Sequence, residues 1–135
     1  DILFGGYVIN SGITVGMVGR LSPEGGLLWA KDLSVIGIEL NKVRAISELP
    51  NGDIFVGGQD IIGSFPAIGK VDADGNYVAY RHLAECYNEP THMCYGEIYD
   101  SFISEEGKIV ISGTAYFTRF AFNFIYKFVG NCCHS

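Results

Sequence analysis

An internal repeat constrains the fold of this chain more than any other feature of its sequence. One strand-like segment that ends in glycine occurs three times, as DILFGG (1–6), DIFVGG (53–58) and KIVISG (108–113). A second segment follows each copy, as MVGRLSPEGG (17–26), AIGKVDADGN (67–76) and FIYKFVGN (124–131). Two further pairs align, LLWAKDL (27–33) with YVAYRHL (77–83) and VRAISELPNG (43–52) with IYDSFISEEG (98–107). A unit of about four short strands in roughly 50 residues is typical of propeller blades rather than of helical solenoids.

Glycine marks the turns between these segments. Asn51-Gly52, Asp74-Gly75 and Glu106-Gly107 lie between apolar runs, and tight hairpin turns require the positive φ that glycine adopts easily. No segment keeps an apolar period of 3.6 residues, so the sequence predicts strands and essentially no helix.

The repeat also predicts how the strands are distributed. If the strands of one unit are labelled a to d, the chain reads b-c-d, a-b-c-d, a-b-c, which makes ten strands. We divide the chain into three blade pieces and a short cysteine-rich tail: 1–42, 43–97, 98–131 and 132–135. Because the chain starts at Asp1 with neither an initiator methionine nor a signal peptide, we expect a processed product or a part of a longer protein.

The run LPNGDIFVGG, followed by AIGKVDADGNYVAYRHL, resembles the repeats of secreted and cell-surface β-propellers of the PQQ-like and delta-60 types. The resemblance implies an all-β fold of four-stranded antiparallel blades, with an incomplete ring of about two and a half blades in a single chain. The tryptophan-docking pattern of PQQ-like blades is reduced to Trp29, with Ala79 at the aligned position. We therefore expect no quinone and no other cofactor.

Charge and hydropathy exclude two classes of partner. The net charge is -6 and the nine basic residues are scattered singly, whereas nucleic-acid binding needs clustered lysine and arginine. No apolar run approaches the roughly 20 residues that cross a bilayer, so we expect no membrane span.

The four cysteines predict disulfides and an extracellular or cell-surface location. Cys86 and Cys94 bracket a polar loop, where a bond would close a short ring in an oxidising compartment. The terminal Cys132-Cys133-His134 favours a bond to another part of the chain or to a partner, because adjacent cysteines rarely bond each other without strain. A zinc site that adds His92 is the less favoured alternative, since structural zinc prefers cysteines two to four residues apart.

A run of alternating aromatic residues near the end of the chain predicts an interface. All five lie on one face of a strand, opposite a face that includes Lys127: Phe120, Phe122, Phe124, Tyr126 and Phe128. In a blade both faces are covered, and an edge strand invites pairing, so we expect a protein neighbour. The neighbour is the remainder of a longer parent chain, another copy, or a different subunit. The alternative is an open wedge of three sheets whose own loops cover the aromatic face.

Two weaker kinds of ligand site are also present in the sequence. Asp72, Asp74 and Asn76 alternate as at the start of a calcium loop, but the sixth position lacks glycine, so a plain hairpin turn is favoured. Sugar stacking would need aromatic residues in loops or at strand ends, although aromatic residues of β-rich chains more often belong to the core. The candidates are Trp29, Tyr87, Tyr95, Tyr116 and Phe117.

No motif for nucleophilic catalysis is present, and His82, which aligns with Asp32 at a strand end, is interpreted as solvated surface. The leading hypothesis is therefore a non-catalytic, extracellular structural or protein-interaction module. The alternatives are a glycan-binding, lectin-like propeller and a fragment of a propeller enzyme with its site in loops between blades.

Overall fold

Ten antiparallel strands form three sheets in the computed structural model of the chain. The structure describes residues 1–61, 65–83, 95–117 and 120–128, with side chains described except at residues 95, 115–117 and 120–128. Sheet A contains β1 (Ile2–Asn10), β2 (Ile13–Leu21) and β3 (Leu27–Asp32). Sheet B contains β4 (Leu40–Glu48), β5 (Ile54–Asp60), β6 (Pro66–Val71) and β7 (Tyr77–His82). Sheet C contains β8 (Tyr95–Ile103), β9 (Ile109–Phe117) and β10 (Phe120–Phe128).

The all-β prediction and the predicted strand distribution are both confirmed. Within each sheet the strands follow one another in chain order, so the sheets hold three, four and three strands as b-c-d, a-b-c-d and a-b-c require. The described residues contain no α-helix; a single 3-10 turn, Leu33–Ile36, joins sheet A to sheet B. The antiparallel sheets are compatible with blades, and none of them closes on itself.

The predicted hairpin turns adopt the expected conformation. Gly52, Gly75 and Gly107 have φ values of 91°, 84° and 78°, in the left-handed region that favours glycine. Each of them donates its amide N–H to a carbonyl oxygen three residues earlier, at 2.9–3.0 Å. The same turn chemistry is therefore found at Gly52 and Gly107, which align in the repeat, and at Gly75 in the next hairpin of the second unit.

Sheet B lies between sheets A and C, and its strand β5 is apolar on both faces. Ile54 and Val56 of β5 pack in a core cluster with Val18 of sheet A. Phe55, between them, packs in a second cluster with Ile98 and Ile109 of sheet C. Alternate residues of a strand point to opposite faces, so the continuous apolar run of β5 covers two cores at once.

Candidate interaction surfaces

One contact between neighbouring sheets is repeated within the molecule. Gly5 of sheet A lies against Val43 of sheet B, and a Cβ atom placed on Gly5 would lie 2.5 Å from Val43 Cγ1. Gly57 of sheet B lies against Ile98 of sheet C, and a Cβ atom there would lie 3.2 Å from Ile98 Cγ2. The repeat aligns Gly5 with Gly57 and Val43 with Ile98. The A–B and B–C interfaces are therefore two copies of the same arrangement.

Buried cations occupy aligned positions in sheets A and B. Arg20 Nη1 lies 3.1 Å from a carboxylate oxygen of Asp1, and Arg20 Nη2 lies 3.5 Å from one of Glu48 on sheet B. Lys70, which aligns with Arg20, is 3% exposed, and its Nζ lies 3.9 Å from the Asp53 carboxylate. Buried charges need such partners because desolvation disfavours an isolated ion. The Arg20–Glu48 contact also joins sheet A to sheet B.

Trp29 fastens sheet A to a turn of sheet B. Its indole Nε1 donates a hydrogen bond of 3.1 Å to the carbonyl oxygen of Ala73, and its ring lies against Gly75. A Cβ atom on Gly75 would lie 2.8 Å from the ring, so the close approach depends on glycine. Trp29, predicted as a weak ligand-stacking candidate, thus makes a contact between sheets.

Sheet A carries an apolar surface on its side away from sheet B, called here the A outer face. Leu3 and Gly5 face sheet B, so the alternating residues of β1 lie on the other side. The Phe4 ring lies directly over Gly19 on this side. The exposed or half-exposed apolar side chains of this face are Ile2, Phe4, Val8, Ile13, Met17, Leu21 and Leu28.

Two positions of sheet B that align with the A outer face are buried, whereas Val78, which aligns with Leu28, is 41% exposed. Ile2 is 50% exposed, whereas the aligned Ile54 is fully buried against sheet A. Val71, which aligns with Leu21, is also fully buried. These two positions of the repeat are therefore buried in sheet B, which has a preceding sheet, and more exposed in sheet A, for which the described residues provide none.

Sheet C has a matching open side, called here the C outer face. Ile109 and Ile111 of β9 pack toward sheet B, so Val110 and Ser112 lie on the opposite side. Phe102, directly opposite Val110 in the register, is 58% exposed. A small pocket of about 110 Å³ lies beside Phe102, Val110 and Ser112. In the repeat, Val110 aligns with the buried Phe55 of sheet B.

The register of β10 bears on the predicted aromatic interface. Tyr126 is directly opposite Ile111 and Phe128 is directly opposite Ile109. Residues directly opposite each other in an antiparallel pair share a face of the sheet, and Ile109 and Ile111 pack on sheet B. The aromatic positions therefore lie in register with the side of sheet C that sheet B covers, and Lys127 lies in register with Val110. The interface at Phe120, Phe122, Phe124, Tyr126 and Phe128 stays a prediction, because only the backbone of β10 is described.

His82 is less solvated than the sequence indicated. Its Nε2 lies 3.4 Å from a carboxylate oxygen of the buried Asp60 and 3.2 Å from the Tyr80 hydroxyl. The Tyr80 hydroxyl also donates to the Glu39 carbonyl oxygen at 3.2 Å, and the Asp60 carboxylate accepts the Phe65 N–H at 3.3 Å. The interpretation of His82 as solvated surface holds only in part, since the side chain is 32% exposed and its ring completes a polar cluster at the ends of β5 and β7. Nothing in the sequence pairs His82 with Asp60.

The turn at Asp72 is a hairpin built on its own carboxylate. That carboxylate accepts the backbone N–H groups of Asn76 and Asp74, both at 2.9 Å, and the Asn76 side-chain amide at 3.1 Å. The hydrogen bond from the Asn76 backbone, followed by the other two, lowers the pKa of Asp72 below its ordinary value of 3.8. The oxygen atoms of Asp72 that the calcium alternative would use are thus engaged by the turn itself.

The remaining candidates are residues for which the structure describes only the backbone or nothing at all. Residues 86, 87, 92 and 94 and the tail 131–135 are outside the described residues, so the disulfide and zinc alternatives stay predictions: Cys86, Cys94, Cys132, Cys133, His92, His134 and, for sugar stacking, Tyr87. Only the backbone is described for Tyr95, Tyr116 and Phe117. In the part of the chain that the structure does describe, no three His, Cys, Asp or Glu side chains come together as a metal site. None of the described segments forms a helix with the length and apolarity needed to cross a bilayer.

No protein-family model matches the chain, and no curated protein is significantly similar to it.

Proposed function

We propose that the chain is a non-catalytic, extracellular structural or protein-interaction module whose propeller-like stack of sheets is completed by further protein. The observation that carries the proposal is the contrast between Ile2 and Ile54, which occupy one position of the repeat with exposures of 50% and 0%. The face of sheet B that contains Ile54 is part of a hydrophobic core, and the aligned face of sheet A carries similar apolar residues. Apolar patches of this kind usually mark protein contacts on soluble proteins.

The C outer face supports the same proposal from the other end of the stack. Phe102 is well exposed, and it adjoins Val110, whose aligned residue in sheet B is the buried Phe55. Repeat proteins stack units so that each unit buries its faces against its neighbours, and terminal units need either a polar outer face or a cover. The chain carries apolar side chains at both ends of its stack.

The alternatives draw less support from the described residues. Pockets for small ligands usually hold about 300–1,000 Å³, whereas the pocket at Phe102 has about 110 Å³. Trp29, the stacking candidate with a described side chain, is engaged between sheets A and B. For the enzyme-fragment alternative, the described residues offer one carboxylate next to an imidazole, at Asp60 and His82. The lectin-like and enzymatic functions both stay predictions.

Hydroxyl-radical footprinting tests the proposal. The protein isolated from its source without denaturation is compared with the purified recombinant chain, and oxidation is read at Ile2, Ile13, Leu28 and Phe102. We expect strong protection of these four side chains in the source material and strong labelling in the pure chain at low concentration. The buried Ile54 should be protected in both samples and serves as the internal control. Equal labelling of the four side chains in both samples would contradict an interaction module.

A further inference from the structure

We propose that the A outer face of one copy of the chain packs on the C outer face of a second copy, so that chains associate head to tail. The inference rests on the proposed function and names the partner: another copy of this chain. It starts from the two interfaces inside the molecule, A–B and B–C. The following side of a sheet is the side that faces the later sheet, and the preceding side is the side that faces the earlier one. In both interfaces, the following side of one sheet packs on the preceding side of the next.

The two open faces are the unpaired halves of that repeated interface. The A outer face is the preceding side of sheet A, and it aligns with the side of sheet B that packs on sheet A. Ile2 aligns there with Ile54, and Leu21 aligns with Val71. Within the chain, the preceding side of sheet B packs on the following side of sheet A. A following side is therefore the type of surface that fits the A outer face.

The C outer face is the following side of sheet C, and it aligns with the sides that sheets A and B present to their successors. Val110 aligns with Leu3 and Phe55, both of which pack in the interfaces inside the molecule. Ser112 aligns with Gly5 and Gly57, which accept Val43 and Ile98 of the following sheets. Val43 and Ile98 belong to β4 and β8, which have no counterpart among the described strands of sheet A. A second copy therefore presents to this side only Ile2, Leu21 and the rest of the A outer face, whose counterparts Ile54 and Val71 pack within the chain.

The same reasoning favours a head-to-tail contact over a two-fold one. A two-fold dimer would join two preceding sides or two following sides, and neither pairing occurs inside the molecule. Head-to-tail contacts continue from copy to copy until they close into a ring or extend as a filament. In the described residues, sheet A has no counterpart of β4, so the contact between copies is smaller than those inside the chain. We expect an affinity in the micromolar range, about 1–100 µM.

Two variants block the two faces separately. Ile13→Glu places a charge on the A outer face, and Phe102→Glu places one on the C outer face. Both side chains are more than half exposed, at 54% and 58%, so neither substitution disturbs a core. Val35→Glu is the matched control, because Val35 is 81% exposed in the 3-10 turn and belongs to neither face.

Sedimentation velocity under reducing conditions, from about 1 µM to about 100 µM, measures association through the faces rather than through cysteines. The wild-type chain and Val35→Glu should rise above the single-chain mass of 14.7 kDa as concentration increases. Ile13→Glu alone and Phe102→Glu alone should each stay at that mass, with association weakened at least about tenfold. Their equimolar mixture should form a dimer of two chains and nothing larger, since each variant retains the face that the other has lost.

Three outcomes would overturn the inference. A wild-type chain that stays at the single-chain mass at every concentration would exclude self-association. A variant that still dimerises alone would indicate a two-fold contact, and a mixture that stays at the single-chain mass would exclude pairing of the two faces. Protection of Ile2 and Phe102 in the source material, together with a monomeric pure chain, would leave the interaction module intact and assign its partner to a different protein.

Discussion

Sheets A and B present the same positions of one repeat in two environments. Ile2 and Ile54 begin aligned strands after an aspartate, yet one is half exposed and the other is fully buried. The sequence at these positions is core-like in both, so the difference comes from the neighbouring sheet rather than from the residue. The comparison shows that the A outer face has the apolar residues of a sheet-to-sheet interface. In sheet B this face packs on a preceding sheet, and the described residues include no such sheet next to sheet A.

The largest test of this comparison is a matched pair of truncations. Ile54→Ala removes a fully buried side chain, and such truncations cost about 2–5 kcal/mol of unfolding free energy through lost burial and a new cavity. Ile2→Ala, at the aligned exposed position, should change the unfolding free energy of the monomeric chain by about 0.5 kcal/mol or less. Urea unfolding at low protein concentration measures both. Similar costs at the two positions would mean that the A outer face is covered within the chain.

A second pair separates the two sides of β1. Gly5→Ala introduces a Cβ atom 2.5 Å from Val43 Cγ1, and overpacking of this kind costs about 1–3 kcal/mol. Gly6→Ala places its Cβ where no atom lies within 4 Å, so stability should hardly change. Val43→Ala makes room for the methyl group that Gly5→Ala introduces. The double variant should therefore lose less unfolding free energy than the sum of the losses of the two single variants. Additive losses would contradict direct packing of Gly5 on Val43.

Trp29 sharpens the comparison at the A–B interface. Trp29→Phe retains a ring but removes the hydrogen bond to Ala73, which should cost about 1 kcal/mol in thermal or urea unfolding. Trp29 is the single tryptophan of the chain, so its fluorescence reports on the surroundings of this one side chain. Its emission should shift to the red when Gly75→Ala pushes a Cβ atom into the ring. Gly25→Ala is the control, because Gly25 also has a positive φ but no atom lies near its Cβ position.

The smallest expected effect concerns pH. Because hydrogen bonds hold the pKa of Asp72 below 3.8 in the folded chain, the unfolded state binds a proton more readily than the folded state. The contribution of Asp72 to stability is therefore complete above pH 3.8 and is lost as the pH falls through the folded pKa. The melting temperature of Asp72→Asn should fall less than that of the wild type between neutral pH and pH values below 3.8. An unchanged acid slope would contradict the ionised turn.

Much of the architecture could be predicted from the sequence because a repeat fixes strands relative to one another. The turn glycines and the aligned segments gave ten strands in the observed distribution. The exposed face was harder to find, because Ile2 and Ile54 have the same local sequence and burial depends on a neighbouring sheet. The alternation of aromatic residues in β10 shows that one face is apolar, but only its register with Ile109 and Ile111 shows which side of the sheet that face shares.

The polar cluster shows a second limit of prediction from sequence. His82 and Asp60 lie on different strands, and their contact depends on how β5, β6 and β7 are aligned at one end of sheet B. A histidine at a strand end is usually solvated, and His82 is partly buried because it contacts Asp60 and Tyr80. The cysteines stay open for another reason, since the described residues include none of them.

The double burial of β5 and β6 has a consequence for how the chain opens. Nearly every residue of these two strands is buried, whereas sheets A and C are each supported by sheet B on one side. In a stack where each layer contacts only its neighbours, opening begins at the outer layers and reaches the middle layer last. Amide hydrogen exchange should therefore be slowest in β5 and β6 and faster in β1 and β3. Covering the A outer face should slow exchange in sheet A first, which makes the exchange rate of β1 a direct gauge of assembly.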